Sequence, residues 1–178
     1  MRGLLIIDVQ QGLIDFDESS WVGVLDNIAL LLRKARGASA PVVFVQHNEE
    51  RGLESGSPAW QIPDAIRPAP GEAVVQKRWS DSFVGTDLET VLRNAGVDTI
   101  VAAGAQSEYC VDTTLRRAAS LGFDVILAED AHTTYDNGVL TREQIIAHHN
   151  LTLSQLAEVG RTIRLSPARA IEFTQRNE

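Results

Sequence analysis

The chain has 178 residues, 44% of them hydrophobic, and a formal net charge of −8. This fits one globular domain over residues 1–178 and argues against nucleic acid or an anionic membrane as a partner, since both require concentrated Lys and Arg. A single cysteine that cannot form an internal disulfide, no signal segment, and no apolar run near the ~20 residues that cross a bilayer together predict a cytoplasmic protein.

Strand-like segments alternate with helix-like segments from end to end, which is the pattern of a parallel sheet covered by helices. Most of the strands are uninterrupted apolar runs, so we expect both faces of the sheet to be buried. The predicted strands run from Gly3 to Val9, Val42 to Gln46, Ala73 to Lys77, Thr99 to Gly104, Phe123 to Ala128 and Thr162 to Leu165.

Four helices are predicted from apolar residues at helical spacing, each followed by a glycine that can close it. Two of them open with a capping box, in which a hydroxyl and a Glu or Gln three residues later satisfy free N–H groups. The helices start near Trp21, Thr86, Cys110 and Thr141 and end before Gly37, Gly96, Gly122 and Gly160, and the capping boxes pair Thr86 with Glu89 and Thr141 with Gln144.

One long segment, from His47 to Glu72, interrupts this alternation. It is rich in Gly, Pro and Ser and has little periodicity. A loop of this length inside a compact domain is usually functional, but a surface excursion pinned by Trp60 explains the sequence equally well. The sequence alone leaves the role of this segment open.

Three reactive side chains stand where strands end, namely Asp8, Lys77 and Cys110. In open parallel sheets, ligands bind beyond the carboxyl ends of the strands. Cys110 also stands where a helix begins, and the positive end of a helix lowers the pKa of a cysteine and can hold an oxyanion. Taken singly, a buried Cys or a turn-forming Asp needs no function. Together they predict the acid, base and nucleophile of an enzyme.

Four segments at these strand ends carry a family pattern: Leu5 to Gln10, Gly71 to Lys77, Ser80 to Leu88, and Gly104 to Thr114. On these segments the chain resembles the isochorismatase-like cysteine hydrolases, the superfamily that contains nicotinamidase and N-carbamoylsarcosine amidase. The Asp-Val-Gln element alone is weak, whereas all four segments in order are specific. The resemblance implies an α/β fold, a Rossmann-like three-layer α/β/α sandwich whose mainly parallel six-stranded sheet has the order 3-2-1-4-5-6.

The same resemblance implies a catalytic triad of Asp8, Lys77 and Cys110. Asp8 takes the thiol proton, Cys110 attacks an amide-like carbonyl to form a thioester, and Lys77 steadies the negative charge that these two groups share. It also implies an oxyanion hole of the Gln106 and Cys110 N–H groups, after a cis peptide between Ala105 and Gln106. The implied strand order sets Lys77 two strands from Asp8, or ~10 Å, a distance that a lysine stem can largely span.

The side chains that flank the triad form the candidate substrate pocket: Leu13, Gln46, His47, Trp79, Phe83, Tyr109 and His132. Leu13 stands where many relatives have phenylalanine. Glu108, two residues before the cysteine, places an acidic group near the site and favours a cationic or polar amide.

We expect no metal and no cofactor. Nicotinamidases hold a metal through an Asp-x-His pair after the second strand, and the stretch from Phe44 to Glu49 lacks that pair. His132, preceded by Asp130, follows the wrong strand, and adjacent helical residues such as His148 and His149 point about 100° apart. Polar contacts within the fold or between subunits explain these histidines better. The missing metal ligands also disfavour nicotinamide as the substrate.

Two alternatives stay open beside a cysteine-dependent amidohydrolase. Some members of the superfamily hydrolyse vinyl ethers, as isochorismatase does, with the aspartate as acid and no cysteine; the matching context of Cys110 disfavours this. The chain could instead be a non-catalytic α/β binding domain, although neither Gly-rich phosphate fingerprint occurs. The resemblance further implies a homodimer or homotetramer acting on a small-molecule amide.

Overall fold

The computed structural model describes residues 1–158 and 160–173. Within these residues six parallel strands form one sheet, and a two-residue strand pairs antiparallel at its edge. The order is β3-β2-β1-β4-β5-β7-β6, so the six parallel strands follow the predicted order 3-2-1-4-5-6, which is confirmed. The strands are β1 (Arg2–Ile7), β2 (Val42–His47), β3 (Ala73–Lys77), β4 (Thr99–Ala105), β5 (Asp124–Thr133), β6 (Ala157–Glu158) and β7 (Arg161–Ser166).

Helices cover both faces of the sheet, which confirms the three-layer arrangement. None of the helices in the described part of the chain is long and apolar enough to cross a membrane. The helices are α1 (Gln11–Phe16), α2 (Val24–Gly37), α3 (Leu88–Asn94), α4 (Asp112–Ser120) and α5 (Arg142–Ser154).

Alternate residues of β1 show how the core is divided between the layers. Leu4 and Ile6 belong to the cluster that contains the buried face of α2, whereas Leu5 and Ile7 belong to the cluster that contains α3, α4 and α5. Each of these four residues is at most 1% exposed. Burying each of them contributes roughly 1.5–3 kcal/mol relative to exposure. The continuous apolar run predicted from the sequence therefore serves both faces.

Some predicted boundaries are wrong. The helix expected from Trp21 begins at α2, because Glu18–Trp21 forms a separate 3-10 turn and Gly23 takes a left-handed conformation with φ 76°. The helix expected to reach Gly160 ends with α5, because β6 turns back to pair with β7. Beyond α5, β6 and β7 therefore form an antiparallel pair at the sheet edge rather than a continued helix.

Only one of the two predicted capping boxes forms. Thr141 accepts the backbone N–H of Gln144, and the Gln144 side chain accepts the N–H of Thr141. In the other, Thr86 Oγ1 accepts the N–H of Leu88 at 3.3 Å. Its expected partner Glu89 instead pairs with Arg93 one turn later, so this capping box is wrong.

The sheet edge at the carboxyl ends of β1 and β4 is unusually tight. Gly104 lies opposite Ile7 with φ +128°, and a Cβ at this glycine would lie 2.0 Å from the Ile7 carbonyl oxygen. Only glycine lets the two strands approach so closely. Asp8 follows with φ 50°, a conformation that Asp tolerates better than most residues. The close contact of the two strands therefore fixes the backbone position from which the Asp8 side chain extends.

Candidate active site

The ammonium group of Lys77 lies at the centre of a buried cluster at this edge. Its Nζ is 2.6 Å from Asp8 Oδ2, 3.1 Å from Cys110 Sγ and 3.1 Å from His47 Nδ1. The Lys77 side chain has no exposed surface, and that of Asp8 is 2% exposed. The three residues of the predicted triad are thus in mutual reach.

Strand β2 explains how Lys77 reaches Asp8 across the sheet. It lies between β1 and β3, and its last residue, His47, is paired in register with Lys77. The stem of Lys77 extends past the end of β2 and places its ammonium beside Asp8. The two-strand separation expected from the strand order is therefore spanned by the lysine side chain.

Asp8 is held with few direct partners. Its backbone N–H donates to the Val45 carbonyl at 3.0 Å, which fixes the main chain beyond β1. Its Oδ1 is buried and has no hydrogen-bond partner among the described residues. Because a buried carboxylate is costly unless it is paired, the ion pair with Lys77 is its principal compensation. The free lone pairs leave this carboxylate able to accept a proton.

Cys110 lies in a single π-helical turn, Ser107–Val111, between β4 and α4, which we call the cysteine turn. Such turns occur often at functional sites. Burial, followed by the negative charge of Asp8, raises the pKa of the thiol to about 12, and Lys77 only partly offsets both effects. The lowered pKa expected from the helix N-terminus is therefore wrong. The thiol therefore keeps its proton at neutral pH.

The same surroundings also raise the pKa of Lys77, which keeps the lysine charged. Burial alone lowers the pKa of a lysine, but the negative charge of Asp8 and the contacts of the ammonium with Asp8 and the Cys110 sulfur outweigh burial, so the pKa of Lys77 is raised. The lysine therefore keeps its proton at neutral pH. Its positive charge therefore stays next to the Asp8 carboxylate and the Cys110 sulfur.

The peptide bond between Ala105 and Gln106 is cis. It joins the end of β4 to the cysteine turn, and the Gln106 carbonyl then accepts the N–H groups of Tyr109 and Val111 at 3.1 Å each. The proposed oxyanion donors, the N–H groups of Gln106 and Cys110, therefore belong to one short connected turn.

A cavity of about 310 Å³ lies beside the cysteine turn. Most of its wall is apolar, with one carboxylate and one amide among the lining residues. The wall comes from α1, the loop after β2, Gln106 and the segment after β5: Gly12, Leu13, Phe16, Glu49, Gly52, Leu53, Gln106 and Tyr135. A more polar cavity of about 380 Å³ shares Glu49 and is otherwise lined by Asn48, Glu50, Glu54, Ser55, Gln76 and Arg78, the last two being the neighbours of Lys77 on β3 and just beyond it.

Two predicted pocket residues, Leu13 and His47, lie at the cavity and at the Lys77 cluster, respectively. Leu13 lines the cavity, and its carbonyl accepts the Tyr135 hydroxyl and, at 3.3 Å, the Trp21 indole N–H. His47 contacts Lys77 directly. Burial and the Lys77 charge lower the pKa of His47, so its ring is neutral at neutral pH.

Four other predicted pocket residues are not among those that line this cavity. Gln46 is buried and donates to the Trp60 carbonyl at 3.0 Å, and the Phe83 ring stacks on Phe123 at 6.2 Å. Trp79 and Tyr109 are 64% and 51% exposed. These side chains support the fold or its surface in the isolated chain, and their contact with substrate stays a prediction.

His132 is 2% exposed and links three elements. Its Nδ1 lies 2.8 Å from the Ser107 hydroxyl of the cysteine turn, and its Nε2 lies 2.9 Å from Asn150 Oδ1 on α5. An amide oxygen can only accept, so Nε2 carries the proton and the Ser107 hydroxyl donates to Nδ1. Burial lowers the pKa of His132 to about 4. This neutral ring braces the cysteine turn.

Gln10 is a site residue that sequence reasoning missed. Its fully buried side chain accepts the His47 N–H at 2.9 Å and donates to the carbonyls of His47 and Trp60 at 3.0 Å each. It therefore ties the end of β2 to the middle of the long loop. The available signal was its place in the Asp-Val-Gln element, three residues beyond the end of β1.

The segment from His47 to Glu72 is therefore attached to the site. Beyond the Gln10 bonds, the N–H of Gln11 donates to the Gln61 carbonyl at 2.8 Å and that of Gly12 to the Ala59 carbonyl at 2.7 Å. Residues of the loop also form part of the cavity wall. Trp60 does pin the loop, but through its carbonyl group.

Asp8, His47 and Cys110 each offer a metal-ligand atom, and these atoms lie within 4.8 Å of one another. All three residues, however, contact the same Lys77 ammonium. A second cation among them would face the lysine charge at close range. The group does not fit a resident metal ion while Lys77 keeps its place.

The Isochorismatase domain family matches residues 2–161 of the chain. A streptothricin hydrolase of Streptomyces noursei is 38% identical over 140 residues, which are 76% of this chain and 51% of that protein. The chain thus spans about half the length of that relative. The ureidoacrylate amidohydrolase RutB of Pseudomonas savastanoi pv. phaseolicola is 29% identical over 170 residues, covering 72% of this chain and 69% of that protein. The crystal structure of an isochorismatase from Pseudomonas putida KT2440 is 28% identical, with a TM-score of 0.87 over 96% of this chain and 89% of that one.

Proposed function

Because the chain belongs to the isochorismatase family, we propose that it hydrolyses a carbon–nitrogen bond of a small amide-like substrate through a thioester on Cys110. The observation that carries this proposal is the buried cluster in which Asp8 and Cys110 contact one Lys77 ammonium at 2.6 and 3.1 Å. The names of two relatives, a streptothricin hydrolase and a ureidoacrylate amidohydrolase, are consistent with hydrolysis of such bonds.

The first half of the reaction forms the thioester. Asp8 takes the proton of the Cys110 thiol as Sγ attacks the carbonyl carbon, and the oxygen that becomes negative is held by the N–H groups of Gln106 and Cys110. The carbon–nitrogen bond then breaks while Asp8 returns the proton to the leaving nitrogen. The negative charge moves between Asp8 and Cys110, and the Lys77 ammonium stays next to both.

The second half hydrolyses the thioester. Asp8 takes a proton from a water molecule, and the oxygen of that water attacks the thioester carbon. The N–H groups of Gln106 and Cys110 hold the second oxyanion. Release of the carboxylic acid frees the Cys110 sulfur, which recovers its proton from Asp8. Atoms balance as amide plus water giving acid plus amine.

The cavity supports a substrate with a compact apolar part. Leu13, Phe16, Leu53 and Tyr135 supply most of its wall, and its volume of about 310 Å³ is at the small end of ligand sites. Glu49 brings a carboxylate to the same wall. A cationic amide is therefore favoured over an anionic one, in agreement with the expectation drawn from Glu108.

The direct test is a panel of small amides, ureido acids and lactams assayed for release of ammonia, amine or acid. We expect turnover by the native chain and an acyl adduct on Cys110 in intact-mass spectra of quenched reactions. Cys110→Ala supplies the blank, and Cys110→Ser keeps a hydroxyl of nearly the same size. Undiminished amide turnover by Cys110→Ser would exclude the thiol mechanism, and turnover of a vinyl ether alone would favour Asp8 acting without covalent catalysis.

Two further expectations stay predictions, namely a cytoplasmic location and a homodimer or homotetramer. Large apolar side chains that are exposed in the single chain, among them Trp79 and Tyr109, are candidates for burial between subunits. Light scattering on the purified protein measures the assembly state directly, and fractionation of the native cells measures the location.

A further inference from the structure

His47 occupies a position that the proposed reaction has not used. It ends β2, the strand between those that lead to Asp8 and Lys77, and it is paired in register with Lys77. Gln10 fixes its main chain on both sides, by accepting from its N–H and donating to its carbonyl. The backbone that carries the ring is therefore held in place by a buried amide.

The contact between His47 and Lys77 defines the protonation of the ring. An ammonium group has three N–H donors and no acceptor, so Nδ1, at 3.1 Å from Nζ, must carry a lone pair. A neutral imidazole then holds its proton on Nε2. The other two donors of Lys77 face Asp8 Oδ2 and Cys110 Sγ, so all three have an acceptor.

We propose that His47 is a positioning residue, whose neutral Nδ1 is the third acceptor that fixes the Lys77 ammonium against Asp8 and Cys110. The inference rests on the proposed function, because the ammonium serves the proton and charge transfer between those two groups. Without Nδ1, one N–H of a fully buried cation loses its partner, and the cation can rotate away from the pair. Such a displacement impairs the chemical step more than substrate binding.

The arrangement also predicts a response to acid. A protonated His47 would present an N–H to the Lys77 ammonium, so the contact would change from attraction to repulsion. The charged and titratable groups that face the ring are Lys77 on β3, Asp8 beyond β1, Cys110 in the cysteine turn and Glu49 in the loop. Burial and Lys77 lower the pKa of His47 more than Asp8 and Glu49 raise it. Protonation therefore occurs below the ordinary pH range of histidine.

The test uses two substitutions that differ in one property. His47→Asn keeps an acceptor at the δ position that cannot be protonated, whereas His47→Leu removes the acceptor at similar size. We expect His47→Leu to lower kcat by about 10- to 100-fold with KM changed by less than about threefold, and His47→Asn to retain kcat within about fivefold. In the native enzyme kcat/KM falls in acid as His47 protonates, and in His47→Asn this fall moves to lower pH. His148→Asn, on the exposed side of α5, is the matched control and keeps the native profile.

Equal loss of kcat in His47→Asn and His47→Leu would overturn the proposal, as would an unchanged acid limb in His47→Asn. Nitrogen-15 NMR of histidine-labelled native protein reads the tautomer without turnover, with His47→Asn assigning the signal. We expect a proton on Nε2 and none on Nδ1, and a proton on Nδ1 at neutral pH would also refute the inference. Because this readout is independent of any substrate, it separates a failure of this inference from a failure of the proposed amidase activity, which Cys110→Ala tests. If His47→Leu does not fold, the asparagine variant and the NMR readout still decide.

Discussion

The proposed triad and the cavity beside it are built in different ways. Asp8 and Lys77 are buried at strand ends, and their positions follow from sheet register and one shared ion pair. The cavity wall combines the short helix α1 with irregular segments, and several of its side chains, such as Phe16 at 73% exposure, meet solvent. The difference separates two properties of the site. In the proposed site, buried strand ends hold Asp8 and Lys77, and the loop attached to them forms part of the cavity wall.

The largest effect is expected at the nucleophile. Cys110→Ala should lower kcat by about 10⁴-fold or more, since no other group can form the thioester. Its thermal unfolding midpoint should stay near the native value, because the thiol is one contact among many in the cysteine turn. Steady-state kinetics with differential scanning fluorimetry measures both. Residual turnover above about one hundredth of native would contradict the strand-end assignment of the chemistry.

The next effect concerns the shared ion pair. Lys77→Met leaves the buried Asp8 carboxylate without its cation and should destabilise the fold by about 3–5 kcal/mol at neutral pH. Adding Asp8→Asn removes the uncompensated charge, so the double variant should be more stable than Lys77→Met alone. Urea unfolding of the two single variants and the double variant measures the coupling. Strictly additive changes would mean that the pair is not coupled in the folded protein.

The tight approach of β1 and β4 predicts a third effect. Gly104→Ala places a Cβ against the Ile7 carbonyl and should cost about 3 kcal/mol or more, since both strands are held in the sheet. Gly138 is the matched control, because it also has positive φ but nothing lies within 4 Å of the position that a Cβ would take there, so Gly138→Ala should cost only about 1 kcal/mol. Chemical denaturation compares them. Similar losses in both variants would remove steric contact as the reason for glycine at position 104.

The contribution of His132, which braces the cysteine turn, to the free energy of unfolding should depend on pH. The unfolded chain protonates His132 near pH 6.5, whereas the folded protein does so near pH 4, so the unfolded state binds more protons between these values. The free energy of unfolding should therefore fall by roughly 2–3 kcal/mol as the pH drops from about 6.5 to 4. His132→Gln should lose this part of the slope. Urea titrations across this range test it, and a native slope in His132→Gln would assign the loss to other groups.

The smallest effect is expected on the cavity wall. Glu49→Gln removes a carboxylate but keeps the shape of the side chain, so KM for a cationic amide should rise about three- to tenfold with kcat nearly unchanged. KM for a neutral amide of the same size should stay within about twofold. Kinetics on the two matched substrates gives the comparison. An equal rise for both would show that Glu49 shapes the cavity rather than selecting charge.

The sequence predicted that Asp8, Lys77 and Cys110 lie close together, because parallel strands bring their carboxyl ends to one edge of the sheet. Lys77 and Asp8 therefore meet although β2 separates their strands. The shift in the pKa of Cys110 was predicted in the wrong direction. Burial and the neighbouring Asp8 carboxylate raise this pKa, and both arise from tertiary structure, which the position of the residue at a helix start does not reveal. The contact of His47 with Lys77 has the same origin, since a pairing between two strands is invisible in either strand alone.

The pocket was predicted less well, and the reason is the irregular backbone that forms it. His132 was a pocket candidate because it flanks the triad positions; in the structure an irregular register between β4 and β5 extends β5 past this residue, and the ring is buried. Glu49 and Leu53 were not predicted to line the cavity, because they belong to a loop whose sequence has no periodicity. Side-chain placement in such a segment depends on its anchors, and the principal anchor, Gln10, lies in another part of the chain.

The anchors of this loop are main-chain groups. Gln10, Gln11 and Gly12 reach the carbonyls of residues 59–61, and a carbonyl is present whatever side chain the residue carries. Substitutions in the loop can therefore change the wall of the cavity without loosening its attachment to the sheet. The fold thus separates the strand-end cluster from the loop side chains that line the cavity. Exchange of those loop side chains can change which molecules fit the cavity while the cluster stays the same.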